Sequence, residues 1–403
     1  MENSKKIMII SAYAPPSKAG SGLMMWHFLS RFPQDKFSIV TSEENNDDPK
    51  LKLTVPYYYY GTPLTSFHFN DTNDTWQQKL RRVAKTFPPT RLVGQFFYAI
   101  RLIQRVVSVG SVAIRKEKTD ILVAYSDIGP ALIGTYLLAK KHKLPFSLFF
   151  YDLYLGNKLP FVFNILARYF EPKLLKNAKH VFVMGDALHD LYQNRYQRND
   201  IKIIYNSTTE PEHKYPYEGS DEYTINYLGS VYWAQIDAIK DLIKALPLVP
   251  EKPLLKMFTT HSKEYLNEVG IFETDQISFH SCMPEEVPAV LNKSSVNFIG
   301  LSLSTPYPNL INTSSPGRLC EFLRSDAPIL IHAPAESFMV KYATRENFAF
   351  ISTDSNPTEL AKVISNALRS ESEDKVSNAH RVLASNHNPE INAQDYWRVV
   401  TGN

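Results

Sequence analysis

The stretch Lys6-Ile7-Met8-Ile9-Ile10-Ser11-Ala12-Tyr13-Ala14-Pro15-Pro16-Ser17-Lys18-Ala19-Gly20-Ser21-Gly22 opens onto an apolar segment, Leu23 to Phe32. Lys6 to Tyr13 is a short run without polar alternation and reads as a strand covered on both faces, while Leu23 to Phe32 reads as a helix. A buried strand, a glycine-bearing turn and a helix are the start of a βαβ unit in a parallel sheet. Such a turn leaves backbone N–H groups unscreened by side chains, and the helix N-terminus adds partial positive charge. Gly20 and Gly22 are therefore expected to suit a diphosphate or a sugar. A purely structural turn looks the same, and the spacing matches neither a Walker loop nor a dinucleotide fingerprint.

Outward from there the pattern repeats. Strands are expected at Ser38 to Thr41, Ile121 to Tyr125, Phe146 to Tyr151, His180 to Met184 and Ile201 to Tyr205. Helical segments separate most of them; in Gly129 to Lys141, Leu132, Ile133, Tyr136, Leu137 and Ala139 make an apolar face, and the Lys-rich end suits a helix C-terminus. Asn206 to Ser220 is rich in Ser, Thr, Pro, Glu, His and Gly, which marks an exposed connector. A second series follows: Ile225 to Gly229, a helix from Asp237 to Leu246, then strands near Leu254 to Phe258, Ile277 to Phe279, Val296 to Gly300, Pro328 to His332 and Phe348 to Ile351. At 403 residues the chain is too long for one ordinary core. The expected class is α/β, with two Rossmann-like, doubly wound parallel-sheet domains over residues 1–206 and 207–385. In the tail, 386–403, Tyr396, Trp397 and Val400 make a small apolar helical face expected to pack back on the first domain. The tyrosine run Tyr57 to Tyr60 reads as the one low-complexity feature.

Hydrophobic residues make up 44% of the chain and charged residues 21%, the proportions of a folded globular protein. The polar start and the brief run Ile7 to Ile10 give no signal-peptide core, and no uninterrupted apolar stretch reaches the roughly 18 to 20 residues of a spanning helix. Cys282 and Cys320 lie far apart without a CxxC partner, which argues against a disulfide framework or a zinc site and fits a reducing cytoplasm. Net charge is only +3, but its distribution is uneven. Between Trp76 and Lys118 the cations, Lys79, Arg81, Arg82, Lys85 and Arg91 first and Arg101, Arg105, Arg115 and Lys116 after them, meet one acid, Glu117. Phe87, Leu92, Phe96, Phe97, Tyr98 and Ile100 interleave with them. That mixture suits peripheral contact of 76–118 with an anionic membrane leaflet or a lipid pyrophosphate; the other reading is core residues with a solvated face. No nucleic-acid-binding module accompanies the charge, so no nucleic-acid partner is expected.

Four further segments carry a more specific signal. His180-Val-Phe-Val-Met-Gly-Asp-Ala-Leu188 is followed by Ile201 to Asn206; then come Tyr227-Leu-Gly229-Ser230-Val-Tyr-Trp-Ala-Gln235 and His280 to Leu291. The last is Ser314-Ser315-Pro316-Gly317-Arg318-Leu319-Cys320-Glu321-Phe322-Leu323, followed by Asp326-Ala-Pro-Ile-Leu330. With the opening turn, and in this order, they resemble the retaining glycosyltransferases of the large family four, which have the GT-B fold of two facing domains. The resemblance covers most of the chain. It implies a nucleotide diphosphosugar, UDP- or GDP-linked, held by the second domain, and an acceptor in the first. It also implies transfer with retention, with no metal and no cofactor besides the nucleotide-sugar co-substrate. A helix starting near Pro316 would direct N–H groups at the pyrophosphate, Arg318 would neutralise charge on the leaving diphosphate, and Glu321 would accept from ribose hydroxyls. A capped structural helix with an ion pair is the alternative.

The chain departs from the family pattern in places. Ser230 and Gln235 stand where Arg and Lys are usual after the glycine turn, Thr313 stands for the first glutamate of a pair, and Ser207 for a glycine. Donor binding is then expected from Gly20, Gly22, Gly229, Ser230, Gln235, Ser315, Arg318 and Glu321. Arg318 would neutralise the diphosphate with help from Lys18, which is also a candidate acceptor contact, and Asn309, Asn312 and Thr313 would meet sugar hydroxyls. Asp152, just past a strand end, is expected to orient or deprotonate an acceptor hydroxyl; a helix N-cap is its bland alternative. His27 reads as packed or surface. The expected activity is sugar transfer to a glycan, polyprenyl-pyrophosphate-linked, in bacterial surface polysaccharide synthesis. Two rivals remain: a sugar-nucleotide epimerase, which would turn over without an acceptor, and a catalytically silent partner protein, which would bind nucleotide sugar without turnover.

Overall fold

A computed structural model describes residues 5–17, 20–42, 48–61, 88–208 and 222–402, with the side chains of 88–91 left aside. The chain separates into two compact units, one of Met1–Met184, Leu188–Ile204 and Glu390–Asn403, the other of Gly185–Ala187 and Tyr205–Pro389.

The first unit is built from β1 (Ile7–Ile10), α1 (Gly20–Leu29), β2 (Phe37–Thr41), β3 (Tyr57–Tyr59), α2 (Pro88–Glu117), β4 (Ile121–Tyr125), α3 (Pro130–His142), β5 (Phe146–Phe150), α4 (Phe161–Asn177), β6 (His180–Val183), α5 (Asp186–Tyr196) and β7 (Ile201–Ile203). Its seven strands are parallel and run in the order β3-β2-β1-β4-β5-β6-β7. Every residue of β1, β2, β4 and β5 is buried, as a sheet covered on both faces requires. Within the tyrosine run, Tyr57–Tyr59 form an edge strand, with Tyr57 opposite Ile39 and the Tyr57 and Tyr59 rings stacked 6.1 Å apart on one face. Aromatic residues favour this pleated, half-covered position. Gly20 and Gly22, expected ahead of the first helix, lie inside its first turn. The C-terminal helix, Pro389–Thr401, begins at the proline that reads as loop in sequence and inserts Tyr396 between Phe28, Phe149 and Phe182.

Among the described residues one helix, α2, is long and apolar enough to cross a membrane, which a search for unbroken apolar runs misses because Arg101 and Arg105 interrupt it. Its buried residues, such as Ala99, Leu102, Val106 and Ala113, make up 44% of its most apolar 18-residue window. At Gly110 an added Cβ would lie 2.5 Å from Leu138, and at Gly134 it would lie 2.4 Å from Val106, so the two glycines let α2 and α3 approach closely.

The second unit holds β8 (Thr224–Leu228), α6 (Ile236–Ala245), β9 (Leu254–Phe258), α7 (Lys263–Glu268), β10 (Ile277–His280), α8 (Val287–Asn292), β11 (Val296–Gly300), α9 (Pro308–Thr313), α10 (Leu319–Leu323), β12 (Ile329–His332), α11 (Phe338–Glu346), β13 (Ala349–Ser352), α12 (Pro357–Arg369) and α13 (Glu373–Asn386). Its six parallel strands run β10-β9-β8-β11-β12-β13. Alternation along the strands sends Ile225, Tyr227, Phe298 and Leu330 to one core layer and Leu228, Ile299, Ile329 and Ile331 to the other. In both sheets strand order reverses beside the first strand, between β1 and β4 and between β8 and β11. Ligands of open α/β sheets bind beyond the carboxyl ends of the strands at such a reversal.

Candidate functional site

In the second unit the reversal is lined by the segments following β8 and β11. The Gly229 N–H donates to the Phe258 carbonyl at 2.9 Å, and Gly229 sits at φ +141°, a conformation side chains rarely adopt. The buried Tyr227 hydroxyl donates to the Ser230 carbonyl at 2.6 Å, fixing the next turn of chain, and burial pushes this phenol's pKa up while Arg318 opposes the shift. The Ser302 N–H donates to the Ala234 carbonyl at 2.7 Å, tying the two loops together. Gln235 is the N-cap residue of α6; its Oε1 is buried with no hydrogen-bond partner among the described residues. The Trp233 and Tyr307 rings meet edge-on at 5.6 Å across the same loops.

Arg318 reaches this turn. A Cβ placed on Gly229 would lie 3.9 Å from Arg318 Cδ, and the guanidinium acts electrostatically on both Tyr227 and Cys282. Arg318 is exposed and has no ion pair or hydrogen bond from its guanidinium among the described residues. The helix expected from Pro316 begins at Leu319 instead, with Arg318 as its N-cap residue at φ −87°, ψ 0°. The cause is a distant one: Asn206 Nδ2 donates to the Gly317 carbonyl at 2.5 Å, which holds Pro316 and Gly317 in a turn. Glu321 is already engaged, accepting from Thr208 Oγ1 at 3.0 Å and pairing with Arg324. Thr313 is buried and its hydroxyl donates to the Asn309 carbonyl within α9 at 2.8 Å; Asn312 and Ser315 are half-buried, and Asn309 is exposed. The structure therefore brings Gly229, Ser230, Gln235 and Arg318 to one strand-end region, while the Glu321 and Thr313 side chains are turned to internal bonds.

In the first unit an added Cβ on Gly22 would fall 2.5 Å from the Ser17 carbonyl oxygen, so that glycine lets the β1 loop fold over the start of α1. Around Gly20 a Cβ would meet nothing within 4 Å. Lys18 lies outside the described residues. His27 is buried on α1, edge-on to Trp26. Asp152 follows β5 and is exposed; surrounding protein still raises its carboxyl pKa by desolvation, to an extent its solvent contact limits. The segment bearing it is tied to its neighbour, because the Tyr151 N–H donates to Ser126 Oγ at 3.0 Å.

Ser126 leads into the residue that sequence reasoning passed over. Asp127 lies after β4, at the reversal itself, and accepts from the Gly129 and Ala131 N–H groups at 2.6 and 3.1 Å. Burial nevertheless raises its pKa to about 6, these two hydrogen bonds opposing the shift. It acts electrostatically on Tyr13, Tyr60 and Tyr154, and the buried Tyr154 hydroxyl, with no hydrogen-bond partner among the described residues, would lie 2.5 Å from a Cβ on Gly129. Tyr60 and Tyr154 are buried, and Asp127 and Tyr13, both half-buried, are the groups here that can reach and orient a polyol. The signal that finds Asp127 is the strand order, which the sequence does not spell out.

No family model matches the chain, and no curated protein does. Solved structures match over nearly its whole length. A glycosyltransferase from Rickettsia africae ESF-5 is similar over 99% of both chains, at 13% identity and a TM-score of 0.66. HepE from Anabaena, solved in complex with UDP, is similar over 99% of this chain and 100% of its own, at 11% identity and a TM-score of 0.65. WaaG, a glycosyltransferase involved in lipopolysaccharide biosynthesis, is similar over 98% of this chain and 100% of its own, at 13% and 0.59. At such identities the likeness is one of fold. The fold expected from sequence, the paired Rossmann-like units of GT-B, is the fold observed.

Proposed function

We propose that the chain is a glycosyltransferase that moves a sugar from a UDP- or GDP-linked donor to an acceptor hydroxyl, with retention and without a metal. Arg318 carries the reading: an exposed guanidinium with no ionic partner among the described residues stands beside the positive-φ turn at Gly229, at the sheet reversal of the second unit. As the bond between the anomeric carbon and the diphosphate breaks, negative charge grows on the leaving oxygens. A bidentate guanidinium stabilises that charge more in the transition state than in the ground state. The Gln235 amide and the start of α6 would hold the rest of the donor.

The acceptor would meet Asp127 and Asp152 in the first unit, where a carboxylate can accept a hydrogen bond from the attacking hydroxyl. The UDP bound to HepE favours uridine as the base, and the part WaaG has in lipopolysaccharide biosynthesis favours a lipid-linked surface glycan as acceptor, reached from the cytoplasmic side. The engagement of Glu321 by Thr208 and Arg324 favours a second reading, a silent relative that binds nucleotide sugar without turnover. Arg318→Ala tests the first reading. Turnover of a nucleotide sugar should fall by about 100-fold or more with the melting temperature unchanged; a variant as active as the wild type removes Arg318 from the chemistry. Chelation by EDTA should leave wild-type turnover intact.

A further inference from the structure

We propose that the first unit docks on an anionic bilayer through a composite face made by the N-terminal halves of α2 and α4. The two helices touch there. Tyr98 and Phe163 pack edge-on at 6.4 Å, Ala99, Val162 and Phe163 form a small core, and the Val162 N–H donates to Gln95 Oε1 at 3.5 Å. With that side of each helix used internally, Val93, Phe96 and Phe97 of α2 and Phe161, Ile165 and Tyr169 of α4 remain exposed, Phe97 by 66% and Phe161 by 62%. Six large apolar side chains at one helix junction exceed the scattered exposure that ordinary surfaces show.

Charge selects the occupant. Glu117, at the far end of α2, and Glu171 on α4 are the only acids of α2, α3 and α4; Glu117 accepts from Tyr58, and Glu171 is fully buried. The exposed charges near the face are cationic. Arg101 lies one turn beyond Phe97, about 6 Å along the axis, and Arg168 lies one turn beyond Ile165. Lys173 sits 3.1 Å from the centre of the Tyr169 ring. Exposed rings with cations one turn away along the same helices match an interfacial site in which the rings enter the acyl boundary and the cations meet phosphate. The proposed face overlaps the expected contact over 76–118 only in α2: residues 76–87 lie outside the described residues, and half of the face belongs to α4. This surface is independent of the donor chemistry in the second unit.

The test is flotation of the full chain with phosphatidylcholine vesicles, with and without phosphatidylglycerol, alongside UDP binding measured on the same preparations. The wild type should float with the anionic vesicles and be released by salt. Phe96→Ser/Phe97→Ser should lower partitioning by about tenfold or more, the loss of two buried rings. Arg101→Gln/Arg168→Gln should lower it on anionic vesicles alone. These side chains are exposed, so melting temperature and UDP binding should not move. Failure of the wild type to float, or flotation indifferent to both variants, overturns the proposal whether or not UDP binds. A wild-type dimer that Phe96→Ser/Phe97→Ser dissolves, with no vesicle binding, would make the face a self-association surface instead.

Discussion

At Arg318 charge and geometry are separable. Lysine keeps the positive charge but not the planar fork, so Arg318→Lys should retain more nucleotide affinity than Arg318→Ala yet recover little turnover. Comparing KM and kcat for the two variants checks this. Asp127 offers a titration. Its folded-state pKa, about 6, lies above the ordinary 3.8, so the protonated form is the one the fold favours. That contribution is complete below about pH 4 and is lost as pH rises through 6, amounting to about 1–2 kcal/mol once partial solvent contact is allowed for. Asp127→Asn keeps an acceptor for the Gly129 and Ala131 N–H groups and does not titrate. Melts of the two proteins should therefore diverge between pH 4 and 6 in favour of Asn; parallel curves would show that Asp127 is not desolvated. Arg318 and Gly229 are legible in sequence because glycine, arginine and proline stand at fixed local spacing. Asp127 is not, since its importance comes from β4 lying next to β1, and more than a hundred residues separate those two strands in sequence.

Elements follow the same division between local and distant causes. Buried strands such as β1 and β4 lie where hydrophobic runs predict them, because a strand covered on both faces has no other composition. The start of α10 moved because Asn206, far away in sequence, holds the Gly317 carbonyl, and the tyrosine run became β3 because β2 offered it a free edge. Glu171 shows how one helix can support a loop at a strand end. Its buried carboxylate accepts from the Leu155 N–H at 2.7 Å and from Tyr192 at 3.2 Å, and is bonded to Tyr196 and Arg195, so α4 and α5 together hold the segment after Asp152. Glu171→Ala leaves Arg195 without its partner and should cost about 3–5 kcal/mol in denaturant melts, against a smaller loss for Glu171→Gln. Equal losses would mean that packing, not the charge, matters there. Tyr396→Ala in the C-terminal helix should likewise cost about 3–5 kcal/mol, since the ring is enclosed by Phe28, Phe149 and Phe182.

At the scale of the whole chain, the two doubly wound sheets place one reversal in each unit, and the residues gathered there differ in kind. The first unit collects two carboxyls and the half-buried Tyr13 phenol, suited to hydroxyls; the second collects an arginine, amides and a glycine turn, suited to a phosphorylated ligand. That division of chemistry is why we propose the second unit as the holder of a sugar-nucleotide donor. Titration calorimetry of UDP and GDP into the wild type and Arg318→Ala tests it most directly. One of the two nucleotides should bind the wild type at one site per chain and bind Arg318→Ala at least about tenfold more weakly. Absence of binding by either nucleotide, or equal affinity in the variant, would contradict the assignment.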